Sequence, residues 1–172
     1  MDKIKIVVVG GGWGGCAAAI AAVKAGAEAV LLERTDMLLG TGLVGGIYRN
    51  NGRQTAAEEM TALGGGDLFH VMDECAGHKN IEFPGHAHAS LYNVYEIEPA
   101  VKKYLISLGV KVVTGASAMK IDKKEGKMIS VTARDGAVYE ADAFVDATGT
   151  SAVPGNCVKY GNGCAMCILR CH

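Results

Sequence analysis

The sequence carries no excess of either charge: 17 lysines and arginines stand against 18 aspartates and glutamates in 172 residues. A basic nucleic-acid-binding surface is therefore not expected. With 49% apolar and only 20% charged residues, neither is an intrinsically disordered segment. No stretch reaches the roughly 18 uninterrupted apolar residues of a membrane span, so no membrane partner is expected. The apolar N-terminal run "MDKIKIVVVGGGWGGCAAAIAAVKAGAEAVLL" is split by "GGGWGG" and offers no clean secretory core, so export is not expected and a reducing cytoplasm is. In that setting the six cysteines read as thiols, cluster ligands or redox groups, not as a disulfide framework. Internal repeats and low-complexity linkers are missing, as is the local context of a Ser-His-Asp or Cys-His hydrolase constellation.

Glycine is abundant instead. The chain has 24, about twice the usual share, and they cluster, which argues for backbone-lined binding loops and a small-molecule site. The apolar pattern predicts a strand over residues 4–9, a helix over 14–25 and a second strand over 29–33, a βαβ opening of α/β type. The first strand is a continuous apolar run, as expected where helices cover both faces of a parallel sheet. Residues 40–46, "GTGLVGG", read as a turn-rich loop, and residues 56–63 and 67–76 as helical pieces. A helix is expected over 98–108, entered through Pro99 and ended near Gly109. Residues 110–122 then read as one strand. Residues 128–136 and 138–149 read as an antiparallel hairpin across Asp135-Gly136, with a last buried strand at 143–146.

The most informative motif is "VVVGGGWGGCAAAIAAVKAGAEAVLLER". Gly10, Gly12 and Gly15 give G-x-G-x-x-G directly after an apolar strand and at the opening of an alanine-rich helix. Gly10 permits the tight turn, Gly12 lets a pyrophosphate approach the backbone, and Gly15 allows close helix–strand packing. The helix N-terminus offers free N–H groups and a positive dipole end to phosphates. Glu33 ends the next strand, where a carboxylate can accept hydrogen bonds from ribose hydroxyls. That carboxylate would repel the 2′-phosphate of NADP, which leaves NAD or FAD, and the glycine spacing does not separate those two.

With these elements in order, the chain resembles the FAD-dependent oxidoreductases of the glutathione-reductase-like type, which carry two dinucleotide-binding domains. The likeness covers residues 1 to about 50 and about 96 to 152: the glycine turn, "LLER", the loop "LLGTGLVGG", a later helix leading into "GVKVVTGA", a hairpin, and "FVDATGTS". It implies a Rossmann-like domain over residues 1–155, with a parallel sheet, flanking helices and a small antiparallel hairpin. It further implies pyrophosphate contacts at Gly10, Gly12, Gly15, Gly40, Thr41 and Gly42, and a ribose contact at Glu33. Arg34 would lie near the adenosine, Ala118 by the adenine, and Thr148 and Gly149 along the cofactor. Members of the family continue into a substrate domain and return to close the flavin pocket. A partner chain, or a longer chain, is accordingly expected to complete the flavin and substrate sites.

Residues 156–172 stand apart as a cysteine-rich segment, where Cys164, Cys167 and Cys171 have the spacing C-x2-C-x3-C and Cys157 precedes them. The spacing matches the later part of the bacterial ferredoxin run, so an iron–sulfur cluster is one reading. Zinc, a redox C-x-x-C pair, and no role in this chain are the others. Asp73, Cys75, His78, His86 and His88 are weaker metal candidates without a recognised spacing, and Arg49 and Arg53 could reach an anionic substrate or phosphates. The expected activity is flavin-dependent oxidation–reduction, with an FAD and iron–sulfur electron-transfer subunit, an NAD-binding module and an inactive fragment as alternatives.

Overall fold

The computed structural model describes residues 3–45, 47–49, 56–84 and 86–149. In chain order these form β1 (Lys5–Val9), α1 (Trp13–Lys24), β2 (Glu28–Leu32), α2 (Thr41–Gly45), β3 (Ile47–Arg49), α3 (Ala56–Ala62), α4 (Asp67–Glu74), β4 (Ala76–Phe83) and β5 (His86–Tyr92). There follow α5 (Val94–Ser107), β6 (Lys111–Val113), β7 (Ala118–Lys124), β8 (Lys127–Ala133), β9 (Val138–Glu140) and β10 (Ala143–Asp146).

The central sheet is parallel, with strand order β10-β1-β2-β6. Val7 pairs with Val30 on one side and Phe144 on the other, and Leu31 pairs with Val112. The expected βαβ opening is present, and its strands are uninterrupted apolar runs because both faces are covered. Val8 and Leu31 belong to a core shared with α1, α4 and α5, while Val7 and Leu32 face a second core closed by Val131 and Ala133 of β8. Each such fully buried side chain contributes about 1.5–3 kcal/mol.

Both long helices end as their sequences dictate. After α1, Gly26 (φ +88°) donates its N–H to Val23 O and Ala27 donates to Ala22 O; after α5, Gly109 (φ +89°) donates to Ile106 O and Val110 to Leu105 O. This paired closure needs a left-handed residue just past the helix, which glycine adopts without steric cost.

Several expectations are corrected. The helix expected from residue 98 begins at Val94, where the Asn93 side chain accepts from Tyr95 N–H at 3.0 Å, and Pro99 lies inside it. A side-chain cap outranked the proline as the start signal. Residues 110–122 are two strands, β6 in the parallel sheet and β7 in a separate antiparallel sheet β7-β8-β9, broken at Gly115 (φ +72°). The strand at 143–146 is half-buried, not buried, because it has β1 as its one partner in the described sheet. The "GTGLVGG" segment contains the short helix α2 where a loop was expected. A third sheet, β3-β5-β4, was not anticipated at all. The hairpin across Asp135-Gly136 is present as β8 and β9, with Ser130 opposite Glu140.

Candidate functional site

The C-terminal ends of the parallel strands converge on one edge of the sheet, where α/β folds place their ligands. Behind β1 the chain turns through Gly10, whose φ of +103° suits glycine alone; a Cβ there would sit 2.5 Å from Ala147 O in the exit from β10. At Gly15 a Cβ would overlap the carbonyl oxygen of Gly10, so the absence of a side chain is what lets α1 close onto the turn. Gly12, which caps α1 with extended backbone, differs from both. A Cβ built on it meets nothing within 4 Å, so its face is open to the cavity beside it.

Glu33 emerges from β2 into this turn and is buried, at 7% exposure. One carboxylate oxygen accepts the Gly11 N–H at 2.8 Å; the other accepts Thr35 N–H at 2.8 Å and Thr35 Oγ at 2.9 Å. A buried carboxylate costs free energy unless donors surround it, and three do so here. Gly11 O in turn accepts from Leu39 N–H at 2.7 Å and from the Cys16 thiol at 3.3 Å. Burial pushes that thiol up to about 12, so Cys16 is a packed donor and not a reactive thiolate.

Leu39 is fully buried with φ +73°, a conformation that costs a bulky residue roughly 1 kcal/mol or more. It is held by its bond to Gly11 and by its neighbour: Leu38 N–H donates to Glu98 of α5 at 3.1 Å, and Lys102 Nζ lies 3.9 Å from the same Glu98 oxygen. The segment leading to Gly40 is therefore tied to both the glycine turn and α5.

Two cavities flank the turns after β1 and β10. The larger, about 690 Å³, is bounded by Gly12, Trp13, Leu39, Thr41, Gly42, Asp146 and Gly149. The smaller, about 180 Å³, is bounded by Gly10, Glu33, Arg34, Ala116, Ala118 and Thr148. The residues singled out in the sequence thus divide between two adjoining spaces. Gly12, Thr41, Gly42 and Gly149 border one, and Gly10, Glu33, Arg34, Ala118 and Thr148 the other, while Gly15 packs beneath the turn and Gly40 (φ +49°) bends the chain against Gly12.

Asp146, Glu98 and Trp13 were not singled out. The Asp146 carboxylate accepts Thr148 Oγ at 2.6 Å and Thr148 N–H at 3.0 Å, bonds that hold it below the usual aspartate range and shape the "DATG" turn. The D-x-T spacing was a legible signal for that turn. Glu98 and Trp13 left none, since Leu38 on the one side and Gly42, Phe69 and Tyr92 on the other are distant in sequence.

Cys157, Cys164, Cys167 and Cys171 lie outside the described residues, as does Arg53, and the side chains of Arg49, His86 and His88 are likewise not described. Cys75 is half-buried and burial raises its thiol; among the described residues no three His, Cys, Asp or Glu side chains gather as a metal site. No described helix is long and apolar enough to cross a membrane.

The family described as glucose inhibited division protein A matches residues 5–172. Among solved structures the chain is similar to the Diels-Alderase PyrE3 of pyrroindomycin biosynthesis (20% identity, TM-score 0.63, covering 87% of this chain and 33% of that one). It is similar to THI4 of Thermovibrio ammonificans (20% identity, TM-score 0.57, covering 86% and 58%). It is also similar to a 2-methyl-3-hydroxypyridine-5-carboxylic acid oxygenase (19% identity, TM-score 0.62, covering 87% and 40%). At these identities the likeness is one of fold, and the chain spans less than two thirds of each of these structures. A comparison with curated proteins finds no match.

Proposed function

Because the chain belongs to the glucose inhibited division protein A family, whose cofactor is FAD, we propose that it binds FAD across the two adjoining cavities as the nucleotide-binding portion of a flavin-dependent oxidoreductase. The observation that carries this reading is the open face of Gly12 on the larger cavity at the N-terminus of α1, two residues after Gly10, which borders the smaller cavity together with Glu33. The smaller cavity suits an adenosine. Glu33 would accept from a ribose hydroxyl, Ala118 would flank the base, and Arg34 and Thr148 would border it. The pyrophosphate would lie against Gly12 and the first turn of α1, where backbone N–H groups and the positive dipole end offset its charge.

Bound there, FAD supplies the hydride or electron transfer, and the protein's contribution is to bind, orient and shield it. Glu33 performs part of that before any ligand arrives, because it fixes the Gly11 N–H and so the path of the turn. Asp146 does the same for the "DATG" turn through Thr148. The remainder of the cofactor would extend through the larger cavity past Thr41, Gly42 and Gly149. A reducing, cytoplasmic setting is part of the same reading, and in it Cys16 and Cys75 remain thiols.

The test is Gly12→Val. A Cβ at this position meets nothing within 4 Å, so the variant should fold, at a cost of about 1 kcal/mol for valine at the helix cap. It should nonetheless lose FAD affinity by roughly tenfold or more, since the backbone can no longer approach the phosphates. Retention of FAD by the purified parent, released on denaturation and identified by its absorbance, is the expected baseline. A parent that binds NAD but not FAD, or a Gly12→Val chain with unchanged FAD content, would overturn the assignment.

A further inference from the structure

Trp13 is the single tryptophan of the chain and the first residue of α1, directly after the open Gly12. Its indole packs against Phe69 of α4, with ring centroids 5.8 Å apart and planes at 50°, and against Tyr92 at the end of β5, at 6.2 Å and 40°. It is thus anchored from two elements outside the parallel sheet. The indole edge at Nε1 lies directly on the backbone of Gly42, where an added Cβ would overlap Nε1, Cδ1 and Cε2.

Gly42 has no conformational need to be glycine, since its φ is not in the left-handed region, unlike that of Gly40. Its lack of a side chain is instead matched to the Trp13 ring. The contact also lies on the wall of the larger cavity and away from the smaller one: Trp13 and Gly42 border the first, and neither borders the second.

We propose that Trp13 and Gly42 form an interlock that sets where the first turn of α2 stands over the larger cavity. Trp13 is then a positioning residue for the flavin-bearing half of FAD and not for its ADP half. The inference rests on the cofactor reading above, in which the adenosine occupies the smaller cavity. It changes the role of Gly42: the glycine accommodates a side chain of the protein and not a phosphate. Trp13 acts by holding α2, with Phe69 and Tyr92 holding Trp13 in turn.

The experiment measures FAD and ADP affinities of the full chain and of Trp13→Leu, Gly42→Ala and the double variant, with thermal unfolding of each. ADP binding reports the smaller cavity, the glycine turn and the Gly12 edge of the larger cavity; FAD binding reports both cavities in full. Gly42→Ala should weaken FAD by roughly tenfold and leave ADP within about twofold, because the added methyl displaces α2. Trp13→Leu should likewise weaken FAD and spare ADP. In the Trp13→Leu background the alanine at position 42 should cost less than about twofold, since the ring it strikes is gone.

If Gly42→Ala costs as much with leucine at position 13 as with tryptophan, Gly42 serves the ligand and the interlock is overturned. It is overturned equally if Trp13→Leu weakens ADP as much as FAD, because Trp13 then only supports the fold. Should Trp13→Leu not fold, Trp13→Phe keeps a ring on Phe69 and Tyr92, and the same comparison of FAD with ADP applies to it. A parent chain that binds neither nucleotide is a different result, and it removes the cofactor reading itself.

Discussion

The parallel sheet β10-β1-β2-β6 and the antiparallel sheet β7-β8-β9 use similar apolar residues to different ends. In the first, Val7, Val8, Leu31 and Leu32 are fully buried, because helices cover one face and the second sheet covers the other. In the second, Val131 and Ala133 are buried while Met119, Ile121, Ile129 and Val138 are between 44% and 61% exposed. Every turn that borders the two cavities leaves the parallel sheet, and the antiparallel sheet reaches them only at Ala118, where β7 begins. A sheet packed on both faces holds its strand ends rigidly, and loops that must present backbone N–H groups to a ligand benefit from that rigidity. The one-sided sheet acts as a cover for the second core.

This contrast can be broken most severely at Gly15. A valine there would drive its side chain into the Gly10 carbonyl, so Gly15→Val should cost about 3 kcal/mol in urea unfolding and lose FAD as well. Leu31→Ala against Ile121→Ala compares the sheets directly. The first opens a cavity at a fully buried position and should cost roughly 2–5 kcal/mol, whereas the second removes a side chain that is 52% exposed and should stay within about 0.5 kcal/mol. Equal losses would show that the antiparallel sheet carries as much of the fold as the parallel one.

The smallest effect expected is that of pH on the "DATG" turn. The bonds from Thr148 lower the Asp146 carboxylate below the ordinary value of 3.8. The folded group therefore binds its proton less readily than the unfolded one, and its stabilising contribution is complete above 3.8 and disappears as pH falls below it. Acid unfolding followed from pH 6 to 2 should show a shallower dependence in Asp146→Asn, and identical curves would remove the carboxylate from any part in that turn.

The glycine turn, its strand and its helix were legible because the signals that mark them are local. Period, spacing and a carboxylate at the strand end all lie within residues 4–33, and the end of α5 was marked by Gly109. The break at Gly115 was hidden because apolar residues on both sides of it suit a strand, and only the sheet each half joins separates β6 from β7. Sheet β3-β5-β4 was hidden because "AGHKNIEF" lacks a clean alternation, the alternation of "HAHASLY" rests largely on weakly apolar alanine, and their pairing contains register shifts.

By itself the sequence determined the α/β class, the nucleotide-binding turn and its acidic partner, since hydrophobic period and glycine conformation are properties of short segments. The tertiary structure alone decided which residues support that turn. Glu98 reaches Leu38 across 60 positions, and Trp13 meets Gly42, Phe69 and Tyr92. Such contacts follow from how helices dock on the sheet, and no local pattern encodes them.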